Sequence, residues 1–192
     1  MISTLRIESW NHYTKSKQLV TMNNILFFSK SKNLDHRYLS NFQVIDKGFV
    51  IDETFAFKEL IGRRFHSIEN AFQAAKLCCA DFDAEHIDVI MKASPVEARR
   101  YGSKVNFKKH NKILNVDVWN KISTTIMKHL LKLRYESDEC FRTLIKEAKQ
   151  KQITLYHFER SGEKSYWGGF FKDGQWKGKN TLGKIMLELC DV

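Results

Sequence analysis

The sequence predicts an α+β fold: one compact, predominantly helical domain with a few short strands. Two observations carry this. From Ser67 onward, apolar residues recur at helical spacing in segment after segment. Before Ser67, and again near residue 155, the runs are short and β-prone. Size agrees, since 192 residues with 43% hydrophobic content and 14 Phe supply one core. A single Pro and 9 Gly argue against a disordered chain.

The elements follow in order. Residues 1–23 are polar and weakly patterned, and read as an extension to a domain spanning 24–192. "NILFFSKS", Asn24 to Ser31, is a β-prone run ending in a polar turn. "YLSNFQVID" and "GFVIDETFAFKELIGRRF" suggest short strands between Asn41 and Phe65, with Gly48 and Gly62 at turns. Ser67 caps a helix running to Cys79, and "DFDAEHIDVIMKA" is a second. "SPVEARRYG", Ser94 to Gly102, has a cap, Pro at the first helical position and Gly at the end. In "DVWNKISTTIMKHLLKLRY", Val118, Ile122, Ile126 and Leu130 mark one face of the longest helix. "DECFRTLIKEAKQ" is another helix, and "ITLYHFE", Ile153 to Glu159, alternates as a strand. A Gly-, Lys- and aromatic-rich loop, "RSGEKSYWGGFFKDGQWKGKN", leads to Asn180, which can cap the last helix, "TLGKIMLELC".

Composition narrows the function classes. The formal charge of +10 and pI near 9.4 permit a phosphate-bearing partner. The basic residues are dispersed, with one denser stretch from Ser103 to Lys112, and a solubilising surface has the same composition. No apolar window reaches a membrane span, and the N-terminus lacks a signal-peptide core, so a cytoplasmic protein without membrane contact is expected. Cys78, Cys79, Cys140 and Cys190 form no C-x-x-C pair, which suits reduced core thiols better than a zinc site. The histidines make no H-E-x-x-H pair, and no G-x-S-x-G elbow supports a serine hydrolase.

Two places gather chemistry. On the Ser67 helix, Glu69, Gln73 and Lys76 fall within about 60° of one another and about 100° from the apolar group centred on Ile68, Phe72 and Ala75. Such a row can line a cleft. It can equally be a solvated flank, with Glu69 complementing the helix dipole by about 0.3–1 kcal/mol. The loop before the last helix concentrates Tyr166, Trp167 and Trp176 with Gly168, Gly169, Gly174 and Gly178 and three lysines. Glycines admit an anion to backbone N–H groups, a helix start attracts phosphate, and aromatic faces stack bases. The residues alone leave a nucleotide-type ligand and a structural loop both open.

The ordered series "FFSKS", "YLSNF", "FHSIENAFQAAK", "SPVEARRYG", Trp119 to Met127 at W-x7-M, "YWGG" and "GKNTLGKIMLEL" resembles the NADAR family. The resemblance covers about Asn24 to Leu189. It implies an N-glycosidase of YbiA-like α+β fold with no metal or redox cofactor. Some such proteins cleave a phosphorylated riboflavin-pathway intermediate, and others remove ADP-ribose from guanine in nucleic acid. Carried over, the acidic residue of S-x-E-x-x-x-Q is Glu69, the catalytic candidate. Trp167, Asn180 and Trp119 match the family's W-G, G-x-N-x-L-G and mid-chain positions, and S-N-F puts Asn41 at the site edge. Gln73, Lys76, Gly168 and Lys179 complete the expected substrate contacts, the last two through the glycine-rich loop. Two departures stand out: the loop after Trp167, "GGFFKDGQWKGKN", is longer and bulkier than in relatives, and Lys164 occupies a position where relatives often have Asp, so a second acidic role falls to Glu159, Glu163 or Asp173, or to none. The expected partner is ADP-ribosylated nucleic acid or a nucleotide-like small molecule. A non-catalytic ADP-ribose or nucleic-acid reader is the contrasting expectation, against which a carboxylate beside an anionic ligand argues.

Overall fold

The computed structural model describes residues 24–160 and 162–191; the expected extension, 1–23, lies outside them. The order is β1 (Asn24–Phe27), α1 (Leu34–Tyr38), β2 (Phe49–Val50), β3 (Arg64–Phe65), α2 (Ile68–Cys78), α3 (Ala84–Lys92) and α4 (Pro95–Tyr101). It continues with α5 (Lys104–Lys109), α6 (Val116–Ser137), α7 (Glu139–Gln150), β4 (Thr154–His157), β5 (Phe170–Lys172), β6 (Gln175–Lys177) and α8 (Thr181–Glu188). The α+β expectation holds, with short strands tucked around a helical body.

α2 is the centre. Ile68 through Ala75 are all buried, and the helix packs against α3, α4 and α6. This differs from the amphipathic helix that periodicity suggested. A surface helix hides one stripe, whereas α2 is covered on every side, so its polar residues are inside as well.

β1 and β4 pair in parallel, with Phe27 opposite His157, although most of the chain separates them. A parallel pair needs such a crossover, and here the crossover is the helical body. α8 and α7 cover β4. β2 and β3 pair antiparallel, Phe49 opposite Phe65. Phe27, Phe49, Phe65 and Phe141 are among the fully buried side chains of the core.

Four elements were not expected. α1 starts at Asn33, whose side chain accepts from His36 N. α5 starts at Ser103 inside the basic stretch. The glycine-rich segment is not all loop: β5 and β6 form a hairpin, Phe171 opposite Trp176, turned at Asp173-Gly174 with both φ positive. The D-G dipeptide between two β-prone triplets carries that signal.

A buried polar knot fixes the turn that follows α1. Arg134 on α6 is fully buried, stacks 4.0 Å from Phe141 and pairs with Asp138 at 3.2 Å. It also donates to Tyr38 O (2.7 Å) and Ser40 O (3.1 Å). Asp138 accepts from the Tyr38 hydroxyl (3.0 Å) and from Phe141 N (3.1 Å) at the start of α7. Burial, with Asp138 beside it, pushes the Tyr38 hydroxyl up to about 12. The charges are tolerated because nearly every donor has a partner. The knot holds residues 38–40, and therefore Asn41.

Candidate active site

The first turn of α2 is anchored before its carboxylate is placed. Ser67 Oγ accepts from Asn70 N (3.0 Å), and the Asn70 amide donates to Ile90 O (2.6 Å) and Ala93 O (2.8 Å) at the end of α3. Glu69 N donates to Asn41 O at 3.0 Å. Its side chain is only 7% exposed, and Oε1 accepts from Gln73 Nε2 at 2.9 Å. Burial raises the Glu69 pKa above the ordinary carboxylate value. The Gln73 hydrogen bond and the charges of Arg99 and Lys76 oppose that rise, and Glu159 adds to it.

Gln73 is held by a close approach. A Cβ on Gly102, at the end of α4, would lie 1.7 Å from Gln73 Oε1. The backbone angle there is ordinary, and a side chain at 102 would meet the end of the Gln73 side chain rather than backbone, so Gln73 would have to shift to admit it. Lys76 Nζ donates to Gly102 O at 2.7 Å and sits 5.6 Å from the Phe107 ring centre. Burial lowers its pKa, and Glu69 works against that. So α4 clamps the Glu69–Gln73–Lys76 row from one side.

Aromatic rings stand on the next face. Phe72 lies 5.1 Å from Trp119 and 5.7 Å, edge-on, from Trp167. Trp119 is 8% exposed and belongs to the core, while Trp167 is half-buried. Tyr166 meets Trp167 at 5.1 Å and hydrogen-bonds Thr124 Oγ1 at 2.8 Å. Lys179 is exposed, with Nζ 5.3 Å from the Tyr166 ring.

The downstream motifs meet at β4. Asn180 stands at the start of α8 with φ 53°, but its side chain does not cap the helix. Instead it accepts from His157 N (3.0 Å) and donates to Leu155 O (2.8 Å). That corrects the capping expectation: a left-handed Asn turns its amide away from the helix N–H groups and onto the strand. Gly168 N donates to Ser165 Oγ at 2.9 Å, and Ser165 Oγ donates to Glu159. A Cβ on Gly168 would lie 2.3 Å from His157 O, so the strand and the Trp167 turn approach too closely at this point for a side chain at 168. Burial lowers the His157 pKa, opposed by Glu159.

Of the three acids considered for a second role, Glu159 is the one whose charge acts on Glu69. Glu163 lies 4.0 Å from Lys172 on the surface, and Asp173 sits in the hairpin turn. Lys164 is exposed. The candidate contacts therefore separate. Asn41, Glu69, Gln73 and Lys76 are contiguous, Trp119 and Trp167 adjoin them through Phe72, Gly168 and Asn180 hold the β4 side, and Lys179 stays outside on Tyr166.

Sequence reasoning missed His157, Phe42 and Arg99. Arg99 lies 5.7 Å from the Phe42 ring centre, and its charge reaches Glu69, Lys76 and His157. The only signal for it was its place in "SPVEARRYG", three residues before the glycine that touches Gln73. Two surface grooves, of about 600 and 470 Å³, flank the α3–α4 turn; the second reaches Ser67 and Asn70 but not Glu69. Among the described residues, no helix is long and apolar enough to cross a membrane.

No curated protein matches the chain. The NADAR domain family model matches residues 27–191, all the elements just described except the first strand residues. With that span and the Glu69–Gln73 arrangement together, the chain belongs to the NADAR family of N-glycosidase-like domains.

Proposed function

We propose that this chain is an N-glycosyl hydrolase that releases ADP-ribose from ADP-ribosylated guanine in nucleic acid. Glu69 carries the reading: a carboxylate sealed in the central helix, oriented by Gln73 and raised in pKa, beside an aromatic wall. A helix-start Glu serving the dipole alone belongs in water, because burying a charge costs stability. The formal charge of +10 favours a nucleic-acid substrate over a free metabolite.

Cleaving the C1′–N bond sends its electron pair to the departing base and builds positive charge on the ribose. A water oxygen then bonds to C1′ and gives up a proton, and the departing base takes up one proton, so that one water is consumed as OH on the ribose and H on the base. Glu69 is assigned to stabilise the charge and accept that proton; a raised pKa makes it a stronger base than a surface carboxylate. Glu159 is assigned the second acidic role. Trp167 offers its exposed part to base or ribose, and Asn41 Oδ1, buried without a partner among the described residues, is a ready acceptor for a hydroxyl.

The test is incubation with ADP-ribosylated DNA. The wild type should release ADP-ribose, and Glu69→Gln, with unchanged circular dichroism, should do so at least about 10²-fold more slowly. Binding without release by the wild type would make the chain a reader. Inertness on this substrate with cleavage of a phosphorylated riboflavin-biosynthesis intermediate would move it to the small-molecule branch.

A further inference from the structure

We infer that Arg99 is an anion-binding residue at the mouth of the Glu69 site, holding a phosphate or diphosphate group of the substrate. The inference deepens the proposed function and rests on it for the identity of the ligand, though not for the existence of the anion site.

The placement comes first. Arg99 is exposed on α4, and its guanidinium lies against Phe42, 5.7 Å from the ring centre. Phe42 follows Asn41, whose carbonyl accepts the Glu69 N–H. One turn along α4, Gly102 touches Gln73, which holds Glu69. Arg99 therefore overhangs the junction of α2, α4 and the Asn41–Phe42 turn. Its charge is felt on α2 by Glu69 and on β4 by His157, which fits that position.

Availability comes second. Arg63, Arg64, Arg134 and Arg142 are all spent on carboxylates or carbonyls. Lys76, the other cation acting on Glu69, is half-buried and bound to Gly102 O. Arg99 makes no ion pair or hydrogen bond with any described residue. Its fork is held by an aromatic face yet unpaired, which is the state that suits bidentate phosphate recognition. A cation kept solely to stabilise Glu69 would pair with it directly.

The experiment measures binding by calorimetry of two probes, ADP-ribose and inorganic pyrophosphate, to wild type, Arg99→Gln and Arg99→Lys. Arg99→Gln should weaken both at least about tenfold. Arg99→Lys should fall between, because a point charge replaces the fork. The slope of log affinity for an ADP-ribosylated oligonucleotide against log salt should drop by about one in Arg99→Gln. Guanosine, which has no phosphate, should bind all three proteins alike. Equal pyrophosphate affinity in wild type and Arg99→Gln, or no pyrophosphate binding by the wild type, overturns the inference even if ADP-ribose is released from DNA. Arg99-dependent pyrophosphate binding upholds it even if that DNA is left intact, and then only the substrate assignment falls.

Discussion

Gly102→Ala is the sharpest test of how the site is held. The new methyl would lie 1.7 Å from Gln73 Oε1, 2.7 Å from Cδ and 3.4 Å from Cγ. Ordinary contact needs roughly 3.5 Å, so the Gln73 amide must retreat by about 2 Å. Gln73 is 7% exposed and cannot swing into water. The 2.9 Å bond to Glu69 then breaks. Losing a hydrogen bond to a carboxylate costs about 1.5–3 kcal/mol, and overpacking about 1–3 kcal/mol. Local relaxation offsets part of this, so about 3 kcal/mol is expected, a fall in Tm of about 6–12 °C. Turnover should fall about 10²-fold, because Glu69 loses its orientation. The assay is urea unfolding plus initial rates, run as a double-mutant cycle with Gln73→Ala. Removing the amide makes room for the methyl, so Gly102→Ala should cost at least about 1 kcal/mol less in that background. Additive effects, or a Gly102→Ala protein with native stability and turnover, would refute the close-approach argument.

Two further outcomes follow from the same geometry. Glu69→Gln should be more stable than wild type at neutral pH by about 0.5–2 kcal/mol, despite the small dipole benefit it forfeits. The Glu69 pKa is raised on folding, so wild type pays nothing for it below the unfolded value near 4.3 and loses stability as pH rises through the folded value. The Tm gap should thus open from about pH 4 upward, and a gap that is flat with pH would count against the buried-charge account. Asn180→Ala should lose about 2–4 kcal/mol in urea unfolding, since His157 N and Leu155 O are left without partners. A loss below about 1 kcal/mol would mean that water replaces the amide.

Much of the fold is legible because its signals are local. Ser67, Ser94 and Asp138 are read as helix starts from neighbours within four residues, and each does accept from a backbone N–H three residues on. The D-G turn of the β5–β6 hairpin was equally local but was masked by the glycines around it. The parallel β1–β4 pair has no local signal, since its strands lie more than a hundred residues apart.

For the site, the sequence by itself determined the chemical cast: Glu69 and Gln73 one turn apart, a tryptophan followed by glycines, and an asparagine before the last helix. Their roles were decided by tertiary structure. Burial of α2 on every side turned Glu69 from a wet flank into a sealed carboxylate, and only long-range packing creates burial. Asn180 was moved from helix cap to strand brace by a left-handed backbone set by β4. Gly102 and Arg99 acquired meaning from what lies across from them, which spacing along one chain does not encode.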